Sequence, residues 1–213
     1  MQDFSLLHAD AALLVLDKPA GLLSVPGRGA DKQDCLSQRV QAHYPDALVV
    51  HRIDMATSGL IMMARGVLAQ KVLNRAFANR QVSKRYVAVV DGLLVEPDPS
   101  PGLIDLPIIV DWPRRPLRII DQQRGQPSKT RYWVVAQDVA SNSTRIELEP
   151  VTGRSHQLRV HLQALAHPIL GDTWYASPSI AARASRLLLH ASELTLPHPL
   201  TGEIVCFSSP SPF

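Results

Sequence analysis

The chain has 213 residues, 46% of them hydrophobic and 19% charged, with a formal net charge of +3 at pH 7. That length can bury a substantial core without metal or disulfide staples, and the composition excludes disordered and fibrous classes. Cys35 and Cys206 stand far apart and outside any C-x-x-C, so no zinc framework or redox dithiol can be built from them, and a reducing cytosol is the expected home.

The apolar run at residues 11–16 follows no basic leader and is too short for a signal core or a membrane span. The sequence pI is about 9.1, but where the cations fall matters more. No acid occurs between Asp54 and Asp91, while Arg65, Lys71, Arg75, Arg80, Lys84 and Arg85 all lie in that interval. Such a cluster reads either as a solvated basic face or as a polyanion site, and alone it does not choose.

In chain order, residues 13–16 predict a strand that leaves into a Pro/Gly loop at Asp17-Lys18-Pro19, placing Lys18 just past the strand end. Asp34 is positioned to cap a helix reaching about His43. ALVV then leads as a strand into HRIDMATSG, so Asp54 falls in a strand-to-turn connection. After a strand over residues 59–64, VLAQKVLNRAFAN sets Val72, Leu73, Ala76 and Phe77 at helical spacing, with Lys71, Arg75 and Asn79 as a basic outer stripe. KRYVAVVDG is a period-two strand with Tyr86, Ala88 and Val90 on one face and Arg85 on the other.

EPDPSPG reads as a loop, and the Pro-interrupted DWPRRPLR displays Arg114, Arg115 and Arg118 on a second one. Residues 129–137 and 143–149 predict an antiparallel hairpin. Gly153 then turns the chain, and Ser155 caps a helix to about Ala166 that holds Arg154 at its entry. Further strands are expected at residues 187–190 and 204–207. Many strands with few helices between them predict an α+β fold with a mixed, largely antiparallel sheet flanked by helices and loops.

Several chemistries lack support. His156 and His161 are five apart without the glutamate of an H-E-x-x-H helix, so a metal site is not indicated, and His51, His161, His167 and His190 read as hydrogen-bonded structural residues. Neither nucleotide-binding glycine motif nor a G-x-S-x-G elbow occurs. What remains is Asp54, with Arg52 two residues before it and Thr57, Ser58 and Gly59 following at turn spacing. Local chemistry favours an Asx-turn acid over a catalytic carboxylate and does not decide between them.

HRIDMATSG resembles the H-R-L-D-x-x-T-S-G motif of the RluA family of pseudouridine synthases, with Ile53 in place of the usual leucine, a swap of similar volume. LDKPAGLLSVPG, KRYVAVV, GRSHQLRVHLQALAHPILGD and LLLHA are further family marks in the expected order, so the resemblance spans almost the whole chain. It implies the pseudouridine synthase fold as a single catalytic domain over residues 1–213, without an N-terminal RNA-binding module. The implied activity is isomerisation of specific uridines in stem-loops of 23S ribosomal RNA, of transfer RNA at the anticodon stem-loop, or of both.

Residue by residue, the family motifs make Asp54 the catalytic aspartate, Tyr86 the tyrosine that packs on the target base and Arg154 the arginine paired with the aspartate. Arg52 matches the residue that enters the RNA stack in place of the flipped base. His51, Lys71, Arg75, Arg80, Lys84, Arg114 and Arg115 join Arg52 as RNA-binding candidates. No cofactor or metal is implied; structured RNA is the expected partner of a cytoplasmic monomer with no membrane or obligate protein partner.

Pseudouridine formation breaks the bond from C1′ to N1, turns the uracil in place and rejoins C1′ to C5, so nothing is added or removed. One carboxylate near C1′ and C2′ can serve electrostatically, as a nucleophile or as a base, and these alternatives stay open. The base must be flipped out of its stack at a cost on the order of a few kcal/mol. The alternative from another class is a catalytically silent RNA-binding or chaperone protein on the same fold, against which stands the lack of any need for an acid in a site that only binds a polyanion. A carboxylate-dependent hydrolase would want a second acid or a metal near the motifs.

Overall fold

The elements run in chain order as β1 (Ser5–Ala9), β2 (Leu13–Lys18), a 3-10 turn (Ala30–Lys32), α1 (Leu36–Gln41), β3 (Ala47–Val49), β4 (Ser58–Arg65), α2 (Gly66–Ala78) and β5 (Ser83–Asp91). There follow β6 (Gly102–Asp105), β7 (Ile108–Val110), β8 (Arg118–Ile120), β9 (Lys129–Asp138), β10 (Ser143–Pro150), α3 (Gln157–Ala164), α4 (Pro178–Ala181), β11 (Leu189–Pro197) and β12 (Ile204–Ser208). This computed structural model describes residues 4–95 and 97–213. The sequence expectations for residues 1–3 and for Glu96, the first residue of EPDPSPG, lie outside the described residues. The chain forms two compact units, one of residues up to Lys84 with His190–Pro212, the other of Arg85–Leu189 with Phe213.

In the first unit β2 lies antiparallel between β1 and β4. The other edge of β4 is shared, since Ser58 and Gly59 pair in parallel with His190 and Ala191 of β11 while residues 63–65 pair antiparallel with β3. β12 closes antiparallel on β11. Ile61 and Met63 of β4 pack with Leu14 and Leu16 of β2 against Leu36 and Val40 of α1; α2 also packs on β4. A strand covered on both faces reads as an unbroken apolar run, which explains LIMMA at residues 60–64, all buried.

Three local expectations are corrected here. β2 continues through Lys18, which is buried, rather than ending before it. Asp34 does not cap α1: Cys35 is the N-cap, and the Asp34 carboxylate instead takes Nε and Nη2 of Arg39 at 2.7 and 2.6 Å, while the helix ends at Gln41. The inner stripe of α2 is Ala69, Leu73 and Ala76, and Val72 stays 45% exposed because it sits one step round the helix, toward Lys71 and Arg75.

The second unit is built on β5, β10, β9 and β6, antiparallel in that order, with Leu148 of β10 facing Tyr86 on one side and Tyr132 on the other. Thr144, Ile146, Leu148 and Pro150 are buried between partly or fully exposed Arg145, Glu147 and Glu149, the period of two expected for this hairpin. β7 and β8 form a separate two-stranded ribbon, whose root packs Ile108 with Val160 of α3 and Tyr175. Arg118 begins β8 and so is not on the loop with Arg114 and Arg115. α3 is capped by His156, left-handed at φ 58, rather than by Ser155, and ends at Ala164. β11 extends beyond residue 190 to Pro197 because β12 supplies a partner along its second half. Among the described residues no helix is long and apolar enough to cross a membrane.

Candidate active site

Asp54 is half-buried on the connection between β3 and β4. The backbone on both sides of it is tied down. Ser24 Oγ donates to the Ile53 carbonyl at 2.7 Å and accepts the Ile53 N–H at 3.2 Å. On the other side the Met55 carbonyl accepts the Gly21 N–H at 2.8 Å and the Lys18 Nζ at 3.0 Å. Lys18 also donates to the carbonyls of Pro19 and Leu22 at 2.8 and 2.7 Å. An ammonium has three donors and no acceptor, so a buried one can spend all three on backbone carbonyls. The Thr57 N–H closes the turn on the Asp54 carbonyl at 3.1 Å. Ile53 itself is buried, consistent with an apolar residue of leucine volume at this position.

The Thr-Ser-Gly that follows has its own reason. Gly59 has φ +105, and a Cβ there would lie 2.3 Å from the Ala191 carbonyl oxygen, so only glycine lets β4 approach β11 this closely. Ser58 Oγ lies 2.9 Å from Nδ1 of buried His190, whose Nε2 is 3.2 Å from the carbonyl and hydroxyl oxygens of Ser209. Ser209 Oγ in turn donates to Asp17 at 2.9 Å. The motifs HRIDMATSG and LLLHA are thus two sides of one strand pairing.

The basic residues divide into committed and exposed. Arg65 pairs with Asp46 at 3.0 Å. Lys71, Arg75 and Arg80 are exposed on or just after α2, and Arg52 is exposed two residues before Asp54. Lys84 is partly buried, and that desolvation lowers its pKa. His51 accepts the Met62 N–H on Nε2 at 3.0 Å and stacks on Phe77 at 4.8 Å between centroids. Burial, and then the charge of Lys84, push its pKa down to about 3. Burial thus favours the neutral ring, which is hydrogen-bonded within the fold.

In the second unit Tyr86 is half-buried on β5. Arg85, on the opposite face, stands over the Trp133 ring at 4.0 Å and 3.7 Å from Glu149, so it serves that sheet. Arg154 is exposed at the turn before α3, and its backbone is set by buried Gln157. Gln157 Oε1 accepts the Arg154 N–H at 3.0 Å and the Thr152 hydroxyl at 2.7 Å, while Nε2 donates to the Lys129 carbonyl at 2.9 Å and Thr130 Oγ1 at 3.0 Å. Among the described residues no side chain takes the capping role expected of Ser155; Gln157 instead ties the turn before α3 to β9.

One turn on, buried Arg159 is bidentate to Asp172 at 2.8 and 2.6 Å, its guanidinium 5.0 and 4.9 Å from the ring centres of Trp174 and Tyr175. His161 spends both ring nitrogens, on Thr130 Oγ1 at 2.9 Å and the Leu106 carbonyl at 3.0 Å, and His167 lies 2.7 Å from the Asp91 carbonyl. Arg114 pairs with Asp111 at 2.6 Å, and Arg115 stands 4.6 Å over the Trp112 ring.

The residues that reading the sequence missed are Lys18, Ser24, Gln157 and the Arg159–Asp172 pair. All lie inside the quoted LDKPAG…SVPG and GRSHQ…ILGD segments, which was the available signal, but the partners that give Lys18, Ser24 and Gln157 their roles include Met55, Ile53 and Lys129, remote in sequence.

Residues 12–164 match the family described as RNA pseudouridylate synthase. The chain belongs to that family. It is 50% identical over 208 residues to the dual-specificity RNA pseudouridine synthase RluA of Escherichia coli strain K12, covering 98% of this chain and 93% of that one. It is 47% identical to the protein of the same name from Yersinia pestis, over 97% of this chain and 98% of that one. Among solved structures, human RNA pseudouridylate synthase domain containing 1 superposes with a TM-score of 0.83 at 29% identity, covering 100% of this chain and 85% of that one.

Proposed function

We propose that this protein is an RNA pseudouridine synthase that isomerises uridines in stem-loops of ribosomal and transfer RNA, with Asp54 as its catalytic carboxylate. The observation that carries the reading is the clamp on Asp54: Ile53 and Met55, its two neighbours, are both held through their backbones by the segment containing Lys18, Gly21 and Ser24. A relative half identical to this chain is named for dual-specificity RNA pseudouridine synthesis, which supports the same reading.

The carboxylate stabilises the cationic sugar as the C1′–N1 bond opens, by charge, by covalent addition at C1′ or by removing the C2′ proton that this opening acidifies. A backbone fixed at both neighbours holds it in position without reorganisation during the step. Tyr86 holds the detached uracil while it turns, and Arg154 supplies the positive charge that favours the ionised acid. Arg52 fills the gap left by the flipped base. Lys71, Arg75, Arg80, Arg114 and Arg115 meet phosphates, which makes binding salt-dependent. The enzyme acts in the cytoplasm as a monomer, residues 1–213 serving as one catalytic domain.

Tritium release from C5-labelled uridine RNA, with carbodiimide primer extension to map the products, tests the reading. Asp54→Asn is expected to bind RNA and release no tritium. Turnover persisting in that variant would overturn the role of Asp54, and a wild-type protein that binds RNA yet releases no tritium would favour the silent RNA-binding alternative.

A further inference from the structure

We propose that the indole of Trp112, at the tip of the β7–β8 ribbon, is a stacking platform for one unpaired base of the RNA substrate; this rests on the RNA-modifying reading above and adds a contact that none of the family motifs supplies. The three tryptophans are not equivalent. Trp133 lies under Arg85 at 4.0 Å, and Trp174, though 45% exposed, stands 5.0 Å from the buried Arg159 guanidinium and 5.2 Å from the His156 ring, so both rings pack on side chains of the body of the fold. Trp112 remains 63% exposed, and its one ring contact among the described residues is the Arg115 guanidinium at 4.6 Å.

That exposure is built in. Asp111, only 5% exposed, accepts Arg114 through Nε and Nη2, each at 2.6 Å. The 111–117 loop is closed by the Asp111 N–H on the Leu117 carbonyl, the Arg114 N–H on the Asp111 carbonyl and the Leu117 N–H on the Arg114 carbonyl, at 3.0 to 3.1 Å. At the root, Ile108 packs with Val160 and Tyr175, and the Arg118 N–H donates to the Tyr175 hydroxyl at 2.9 Å. An aromatic ring on a tip tied at both ends loses little freedom when it is covered.

The charge of the ribbon selects the partner. Residues 108–126 carry four arginines, at positions 114, 115, 118 and 124, against two aspartates, 111 and 121, a balance of 4 − 2 = +2. Arg124 pairs with Asp121 at 2.8 Å, and Asp111 is taken by Arg114, so both acids are already engaged. An exposed π face backed by a guanidinium in a net cationic loop is the chemistry that takes a single-stranded base, whichever base it is. A protein partner would call for a broader apolar patch than one ring flanked by proline and arginine.

The test uses the full chain and a synthetic RNA stem-loop with a uridine-containing loop, made intact and with an abasic nucleotide at each loop position in turn. Trp112→Ala is expected to bind the intact RNA about tenfold more weakly, and Trp112→Phe to keep most of the affinity. One abasic position should cost the wild type as much as Trp112→Ala does and cost that variant nothing further. Wild-type affinity in Trp112→Ala, or equal losses in both proteins at every abasic position, would overturn the proposal. Failure of the enzymatic reading shows separately, as absence of tritium release by the wild type at saturating RNA.

Discussion

Lys18 Nζ donates to the carbonyl oxygen of Met55 at 3.0 Å across 37 positions of sequence, joining the end of β2 to the residue that follows Asp54. With Ser24 gripping Ile53 on the other side, the carboxylate-bearing turn is held at both neighbours, which under the role proposed for Asp54 limits its relaxation as charge develops. Preorganised groups of this kind do not reorganise at the moment of reaction, which is where much electrostatic catalysis is gained.

Lys18→Met keeps the length and removes the ammonium, taking its hydrogen bonds from the Pro19 and Leu22 carbonyls and leaving the Met55 carbonyl with the Gly21 N–H. Stability should fall by about 3 kcal/mol, read as a lower urea midpoint. Turnover measured where the variant is still folded should drop on the order of tenfold.

Gly59→Ala places a methyl group against the Ala191 backbone at a positive φ. The β4–β11 pairing has to open, at a cost of about 3 kcal/mol. Chemical denaturation checks this, and Ala64→Gly on the same strand provides a control whose loss should be smaller, since no backbone clash is involved.

Gln157→Leu removes the acceptor of the Arg154 N–H and the donor to Lys129 while keeping a similar volume. Gln157 is a positioning residue, so the loss should appear as coupling. Turnover is expected to fall about tenfold in Gln157→Leu, and adding Arg154→Ala to it should cost less than Arg154→Ala costs the wild type. Additive losses would show that Gln157 acts elsewhere.

His51 has a folded pKa of about 3, below its ordinary 6.5. Between these values the unfolded chain binds the extra proton, so the stability this residue contributes is present above about pH 6.5 and declines as pH falls toward 3. From pH 7 to pH 5 the wild type should lose about 2 kcal/mol more than His51→Gln does. Paired urea titrations at the two pH values measure the difference.

The period of two in KRYVAVVDG and in the 129–149 hairpin, and the unbroken apolar run of β4, were legible because burial on one or two faces writes itself into neighbouring positions. Asp54 and its turn were equally visible as a pattern, though local chemistry alone preferred a structural aspartate. The β7–β8 ribbon was missed in DWPRRPLR because Pro113 and Pro116 read as a plain loop, whereas Ile108 and Ile120 find their cover in Val160 and Tyr175, far along the chain.

By itself the sequence determined the α+β class, the order of most elements, the family resemblance and the residues proposed for catalysis, since those depend on periodicity and on short contiguous motifs. Only the tertiary structure decided that Lys18 is buried beneath the Asp54 turn, that Gln157 sets the Arg154 backbone and that Trp112 is the most exposed of the three tryptophans. The Lys18–Met55 and Gln157–Lys129 hydrogen bonds join residues 37 and 28 positions apart, and separation along the chain says nothing about separation in space.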